Sequence, residues 1–129
     1  MSRLTQYVCL FLVVTVAATV GCSGNVQSVG TVKFDNGSPL SEGRIHFSTP
    51  QYEYFSALKS DGTFSIWAVT EGDGLPPGQY QVHLEFPAIL DRGAYPVDQK
   101  FTAPNTSEWA ADVKPNGKNR FNFIVTKSE

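Results

Sequence analysis

Short segments in which apolar and polar residues alternate, separated by turns rich in Gly, Pro and Asn, dominate this 129-residue chain. The clearest segment is YQVHLEF at residues 80–86, where aromatic or aliphatic residues take every second position. This alternation is typical of a strand with one buried face and one solvated face. No segment keeps a helical period over three turns. The sequence therefore predicts an all-β fold.

The other predicted strands cover residues 28–34, 44–48, 52–58, 63–69, 109–113 and 120–126. Between them lie turn dipeptides such as Asn36-Gly37, because Gly supplies the positive φ angles that a tight hairpin requires. Residues 89–105 are irregular, with room for a short helical turn. Short strands at this spacing predict a small antiparallel β-sandwich of about seven strands. The side chains predicted to point inward include Phe64, Tyr80, Val82, Leu84, Phe121 and Phe123.

The N-terminal segment is predicted to be a targeting signal and not part of the fold. Residues 7–20 are apolar, but the run is shorter than the roughly 20 residues that cross a bilayer. Gly21 and Cys22 follow, which resembles a bacterial lipoprotein signal that is cut before the Cys. Cys22 would then carry acyl chains such as palmitate. Thr19 departs from the aliphatic residue usual in that signal, so a secretory signal cut near residues 17–19 and an uncleaved anchor stay open.

The two cysteines support the lipoprotein interpretation. Cys9 lies in the apolar leader and would be removed with it, which leaves Cys22 as a lone thiol that acylation explains. A disulfide between the two is the competing interpretation. The predicted organisation is a signal peptide at 1–21, a tether at 22–28 and one domain at 29–127. We expect a lipid-anchored protein of the cell envelope, and Ser23 after the Cys favours the outer membrane, on its periplasmic or surface face.

Charge excludes one class of partner. The chain has a formal net charge of −2, and residues 1–21 contribute only Arg3, so the remainder carries −3. Nucleic-acid binding normally shows as a basic patch or a high isoelectric point. Neither is present, and no nucleic-acid partner is expected.

The order of the turn and strand motifs resembles a known family. VGTV at 29–32 leads into DNGSPL at 35–40 and GRIHF at 43–47, followed by SDGTFSI at 60–66 and PPGQYQV at 76–82. This order resembles the carboxypeptidase regulatory-like domain, which implies a transthyretin-like sandwich. The later part of the chain, with YPVD at 95–98 and NRFNF at 119–123, is similar to a set of short secreted lipoproteins abundant in planctomycete bacteria. The resemblance implies a fold and no peptidase activity.

No motif for catalysis, a cofactor or a metal stands out. His46 and His83 both fall on the predicted solvated faces of strands, and neither H-x-H nor H-E-x-x-H occurs. A nucleophile elbow and a phosphate loop are also missing, although a catalytic triad can assemble from distant residues. We therefore expect no catalytic residues, no cofactor, no metal site and no enzyme activity.

Aromatic residues are the candidate ligand-binding positions. Trp67 is out of phase with Phe64 and Ile66, so its side chain is expected to point outward, and Tyr52 and Tyr54 share one face of their strand. The competing interpretation, which single aromatic residues on a sandwich favour, is that the rings cover a sheet edge or pack under loops. The expected function is a non-catalytic envelope module, tethered to the membrane, that presents a β surface to another protein. The alternative is a glycan-binding module that uses Trp67, Tyr52 and Tyr54.

Overall fold

The structure is a computed structural model, and it describes residues 24–87 and 95–128. The predicted signal peptide (1–21), Cys9 and the predicted lipidation site Cys22 lie outside the described residues. Within the described ranges, no helix is both long enough and apolar enough to cross a membrane.

Seven strands form where the alternating segments predict them. Their bounds are β1 Ser28–Phe34, β2 Arg44–Ser48, β3 Glu53–Ala57, β4 Thr63–Ile66, β5 Gly78–Glu85, β6 Trp109–Val113 and β7 Asn119–Val125. A 3-10 turn, Gln99–Thr102, lies in the irregular segment between β5 and β6. The strand β4 is shorter than predicted, because the backbone turns away after Ile66 and the Ala68 amide donates to the Gly74 carbonyl instead.

The strands pack as two facing sheets. One sheet has the order β3-β2-β5-β6, and the other has the order β4-β1-β7. Every pair is antiparallel except β1 and β7, which run parallel. The predicted all-β sandwich of about seven strands is therefore confirmed, with one parallel pair.

The core between the sheets is built from the inward faces of both. Phe47 lies near its centre and contacts four other rings at centroid distances of 5.6–6.4 Å. Most of the side chains predicted to point inward are buried, and Phe121 is half-buried. Burial of this apolar surface, at roughly 25 cal/mol per Å², is the main stabilising term in such a domain.

Strand pairing begins inside the predicted tether. Val26 and Leu75 form a bridge in which each backbone amide donates to the other carbonyl, at 2.7 and 2.9 Å. The next carbonyl, that of Gln27, accepts a hydrogen bond from the Asn119 amide. The folded unit thus includes Val26 and Gln27.

Candidate functional site

The outer face of the four-stranded sheet brings both histidines together. His46 on β2 lies directly opposite His83 on β5 and opposite Phe55 on β3. Because side chains alternate along a strand, the inward positions of Ile45 and Phe47 force His46 outward. The two histidines therefore share one face through the register of β2 and β5.

Both histidines are buried, which corrects the expectation that solvent surrounds them. Only 6% of His46 and 8% of His83 is exposed. Their rings stack with centroids 4.7 Å apart, and Phe55 stacks on His46 from the other neighbouring strand at 5.2 Å. Tyr95 and Thr102, from the chain that follows β5, line the cleft beside them. Alternation correctly predicts that both histidines lie on the outer face of the sheet. Ring stacking and the chain that follows β5 then shield them from solvent.

Two carboxylates converge on His46. Its Nδ1 lies 3.1 Å from the Glu53 Oε1, and its Nε2 lies 2.9 Å from the Glu85 Oε1. Arg44 is 3.6 Å from the same Glu85 oxygen, and its guanidinium also lies over the Phe55 ring. His46 is therefore the centre of a charged cluster on a face that the sequence predicts to be wet.

The surroundings of His83 are different. Its Nδ1 is fully buried and has no hydrogen-bond partner among residues 24–87 and 95–128. Burial lowers the pKa of His83, as does the charge of His46, and the charges of Glu53 and Glu85 partly oppose this. The ring is consequently neutral at pH 7 and keeps an unshared electron pair.

Three of these residues could hold a metal ion. His46, Glu53 and His83 each offer one ligand atom, and these atoms lie within 4.8 Å of one another. A cleft of about 320 Å³ opens beside them. Sequence motifs such as H-x-H miss this arrangement, because the ligands come from three strands that only the sheet brings together. The one sequence signal for this site is that alternation places both His46 and His83 at outward positions of their strands.

A second candidate site is a groove of about 590 Å³ between the edges of β3 and β4. Its lining includes Tyr54, Phe55, Leu58, Trp67, Ala68 and Glu71. Trp67 follows the end of β4 and is half-buried, so it is less exposed than predicted. Tyr52 stacks on Tyr54, with centroids 6.2 Å apart, and is 64% exposed. Two of the predicted ligand-binding aromatics therefore line one groove, and the third flanks it.

The groove runs along an open backbone edge. Leu58 donates to the Gly43 carbonyl, and Thr49 donates to the Tyr52 carbonyl, so these residues bond toward β2. Because hydrogen-bonded and non-bonded pairs alternate in an antiparallel ladder, the amides and carbonyls at residues 53, 55 and 57 point away from β2. In the described part of the chain β3 ends its sheet, and no strand pairs with that side.

The sequence itself matches no family model and no curated protein. Among solved structures, a DUF3823 family protein from Bacteroides ovatus is similar at a TM-score of 0.52 and 14% identity, over 80% of this chain and 45% of that one. This chain thus spans less than half of that protein's length. The Klebsiella pneumoniae 5-hydroxyisourate hydrolase has a TM-score of 0.48 at 14% identity, covering 81% and 92% of the two chains. An (S)-allantoin synthase is similar at a TM-score of 0.45 and 20% identity, over 83% of this chain and 43% of that one.

These likenesses concern the fold alone. The strand order and the similarity to the Bacteroides protein agree with a two-sheet β-sandwich, which confirms the predicted all-β sandwich. At TM-scores below 0.5, the activities named for the two enzymes do not extend to this chain. The expectation that the chain is non-catalytic stays a prediction.

Proposed function

We propose that this chain is a non-catalytic lipoprotein of the cell envelope that binds another envelope protein through the edge of β3. The observation that carries the proposal is the unpaired backbone edge at residues 53–57 beside an apolar groove. Exposed sheet edges are templates for an added strand, and many peptide-binding domains use that mode of recognition.

The groove suits an extended peptide. Its backbone would bond with the outward amides and carbonyls of β3, while alternate side chains pointed to opposite faces. On the inner face, an apolar side chain would contact Trp67 and Tyr54. On the outer face, the neighbour would be Phe55, which is 51% exposed. Backbone bonds would supply affinity, and the aromatic contacts would supply selectivity.

The sharpest test removes one backbone donor from the edge. Ala57→Pro deletes an outward amide but leaves the bonds to β2, and Pro is tolerated on edge strands. Ala57→Val is the matched control, because Val keeps the amide and favours strands. Partners would be captured from cross-linked intact envelopes. We expect at least a tenfold loss for Ala57→Pro with an unchanged fold and no loss for Ala57→Val. Equal capture by both variants would exclude strand addition at β3.

The membrane anchor is a separate part of the proposal. One acyl chain binds a membrane only marginally, while two anchor a protein stably. Cys22→Ala should therefore release the protein from the membrane fraction, and a Cys9→Ala control should not. Intact mass spectrometry of the wild-type protein checks the modification directly. A mature wild-type protein with an unmodified Cys22 would contradict the anchor.

Glycan binding is the second candidate, since Trp67 and Tyr54 line one groove with Tyr52 beside it. Flat aromatic faces stack on the apolar faces of sugars. On this alternative, Trp67→Ala abolishes binding on a glycan array while the fold survives. Strand addition predicts no glycan signal before or after the substitution. We favour that result because the groove runs along the backbone edge of β3, which a peptide strand would use and a sugar would not.

A further inference from the structure

We infer that His46, His83 and Glu53 bind one Zn²⁺ ion on the outer face of the four-stranded sheet. This site is separate from the β3 groove and does not depend on the proposed function. It combines two imidazoles with a carboxylate, as zinc sites with three protein ligands do. The ligand atoms lie within 4.8 Å of one another.

The spacing of the ligand atoms is near that of a zinc site, but the two imidazole rings must turn to share one ion, because each nitrogen lone pair lies in its ring plane and the two planes are only 20° from parallel. Zinc bonds to nitrogen and oxygen are about 2.0–2.2 Å, so neighbouring ligand atoms around a tetrahedral ion lie about 3.3 Å apart. His46 Nδ1 and the Glu53 Oε1 are already 3.1 Å apart. The Glu53 side chain is 54% exposed, so it is free to move toward His83. The site would form when the two histidine rings turn toward the ion and Glu53 closes on it.

The carboxylates around His46 favour a cation at its Nδ1. Carboxylate oxygens face both nitrogens of His46, and a neutral imidazole has only one N–H group. When Nε2–H donates to Glu85, either a second proton or a metal cation must lie between Nδ1 and the Glu53 oxygen, and Zn²⁺ would replace that proton. Glu85 then acts as the outer carboxylate that orients a zinc-bound histidine.

His83 supplies a second observation. More than nine-tenths of its surface is buried, and its Nδ1 has no partner among the described residues. Buried polar atoms are nearly always satisfied, and an exception calls for an explanation such as an ion.

The donor set selects the kind of metal. Imidazole nitrogens suit Zn²⁺, Cu²⁺ and Ni²⁺, whereas Ca²⁺ and Mg²⁺ prefer oxygen ligands. Three protein ligands leave one position of a tetrahedron open. That position would face the cleft lined by Phe86, Tyr95 and Thr102, where water or an anionic group could complete the site.

The test uses the full chain in detergent, stripped of metal with a chelator. Zn²⁺ would be titrated against a chromophoric chelator, and the melting temperature would be followed in parallel. We expect one ion per chain and a melting temperature that rises with Zn²⁺ concentration. Glu53→Gln and His83→Phe should each lower the affinity at least tenfold. Glu42→Gln is the matched control, because Glu42 is an exposed carboxylate outside the cluster.

Thiols need their own control, because an unprocessed and unacylated chain carries two of them, Cys9 and Cys22, and thiolates also bind Zn²⁺. The titration is repeated with both changed to Ser, and Co²⁺ replaces Zn²⁺ to report the ligands by absorption. The expected spectrum lacks the charge-transfer band of a thiolate. Binding that disappears with the two Ser substitutions, or survives Glu53→Gln and His83→Phe together, overturns the inference. No binding at all would also overturn it.

Discussion

His46 and His83 stack across neighbouring strands, with ring centroids 4.7 Å apart and ring planes 20° from parallel. The stack makes two chemically equal residues unequal. His46 has a carboxylate oxygen within 3.1 Å of each nitrogen, while His83 has a buried Nδ1 without a partner in the described part of the chain. The His46 ring is therefore fixed by contacts with two carboxylates, whereas the buried Nδ1 of His83 makes no polar contact with the described residues.

The inequality predicts opposite effects for one substitution at the two positions. In metal-free protein, His83→Phe removes an unsatisfied buried nitrogen and keeps the stacked ring. We expect the free energy of unfolding to rise by about 1 kcal/mol. His46→Phe removes the partner of Glu53 and leaves Glu85 only its ion pair with Arg44, so it should lower the free energy of unfolding by a similar amount or more. Urea denaturation in the presence of a chelator measures both, and a loss of stability in His83→Phe would contradict the prediction.

Core substitutions should scale with burial. Phe64 is 2% exposed and packs against Phe47 and Phe123, whereas Phe121 is half-buried. Phe64→Ala should cost about 3–5 kcal/mol, which is a large part of a small domain's stability. Phe121→Ala should cost roughly half as much, because less apolar surface leaves the core. Equal losses in chemical denaturation would show that Phe121 is as important to the core as Phe64.

Two glycines in one loop provide a matched pair. Gly72 and Gly74 have nearly equal positive φ angles, 91° and 89°. A Cβ on Gly72 would meet open space, whereas a Cβ on Gly74 would lie 1.8 Å from the Val26 carbonyl oxygen. Gly72→Ala should cost about 1–2 kcal/mol from backbone strain alone.

The clash makes the second change more severe. Gly74→Ala should cost about 3 kcal/mol or more, because Val26 must move and its bridge to Leu75 must break. Hydrogen exchange at the Val26 amide should then accelerate in Gly74→Ala but not in Gly72→Ala. Similar exchange rates in the two variants would mean that the bridge does not depend on the close approach.

Tyr80 predicts how stability changes at high pH. Its hydroxyl donates to the Pro76 carbonyl at 2.6 Å, and burial raises the pKa of Tyr80 to about 12, with a smaller contribution from Tyr54. In the unfolded chain a tyrosine loses its proton near pH 10. The unfolded state therefore binds fewer protons between pH 10 and 12. The contribution of Tyr80 is complete below pH 10 and falls as the pH rises to 12.

Tyr80→Phe isolates that contribution. It should lower the free energy of unfolding by about 1 kcal/mol at pH 7, because one hydrogen bond is lost. The difference between wild type and variant should shrink between pH 10 and 12. Tyr52→Phe is the control, since Tyr52 is 64% exposed and its loss should leave the pH profile unchanged. A constant difference for Tyr80→Phe across this range would contradict the buried hydroxyl.

Much of the fold could be predicted from local patterns. β1, β2 and β6 have the predicted bounds, because the turn residues beside them act through their own backbone conformations. Period-two alternation also assigned Ile45 and Phe47 to the core. The parallel pairing of β1 with β7 was not predictable in this way, since it joins segments from opposite ends of the domain.

The sequence by itself determined which face of each strand a residue occupies, and tertiary structure decided what that face meets. Alternation assigned His46, His83 and Trp67 to outward positions. The register of β2 with β5 and β3 then stacked the histidines beside Glu53, and the chain after β5 lined the cleft next to them. The alternation of side chains is a property of a single strand. The burial of a side chain and the meeting of several side chains at one site depend on residues that are distant in sequence. Local residues therefore predicted the sandwich, and only its assembly created the groove and the histidine cluster.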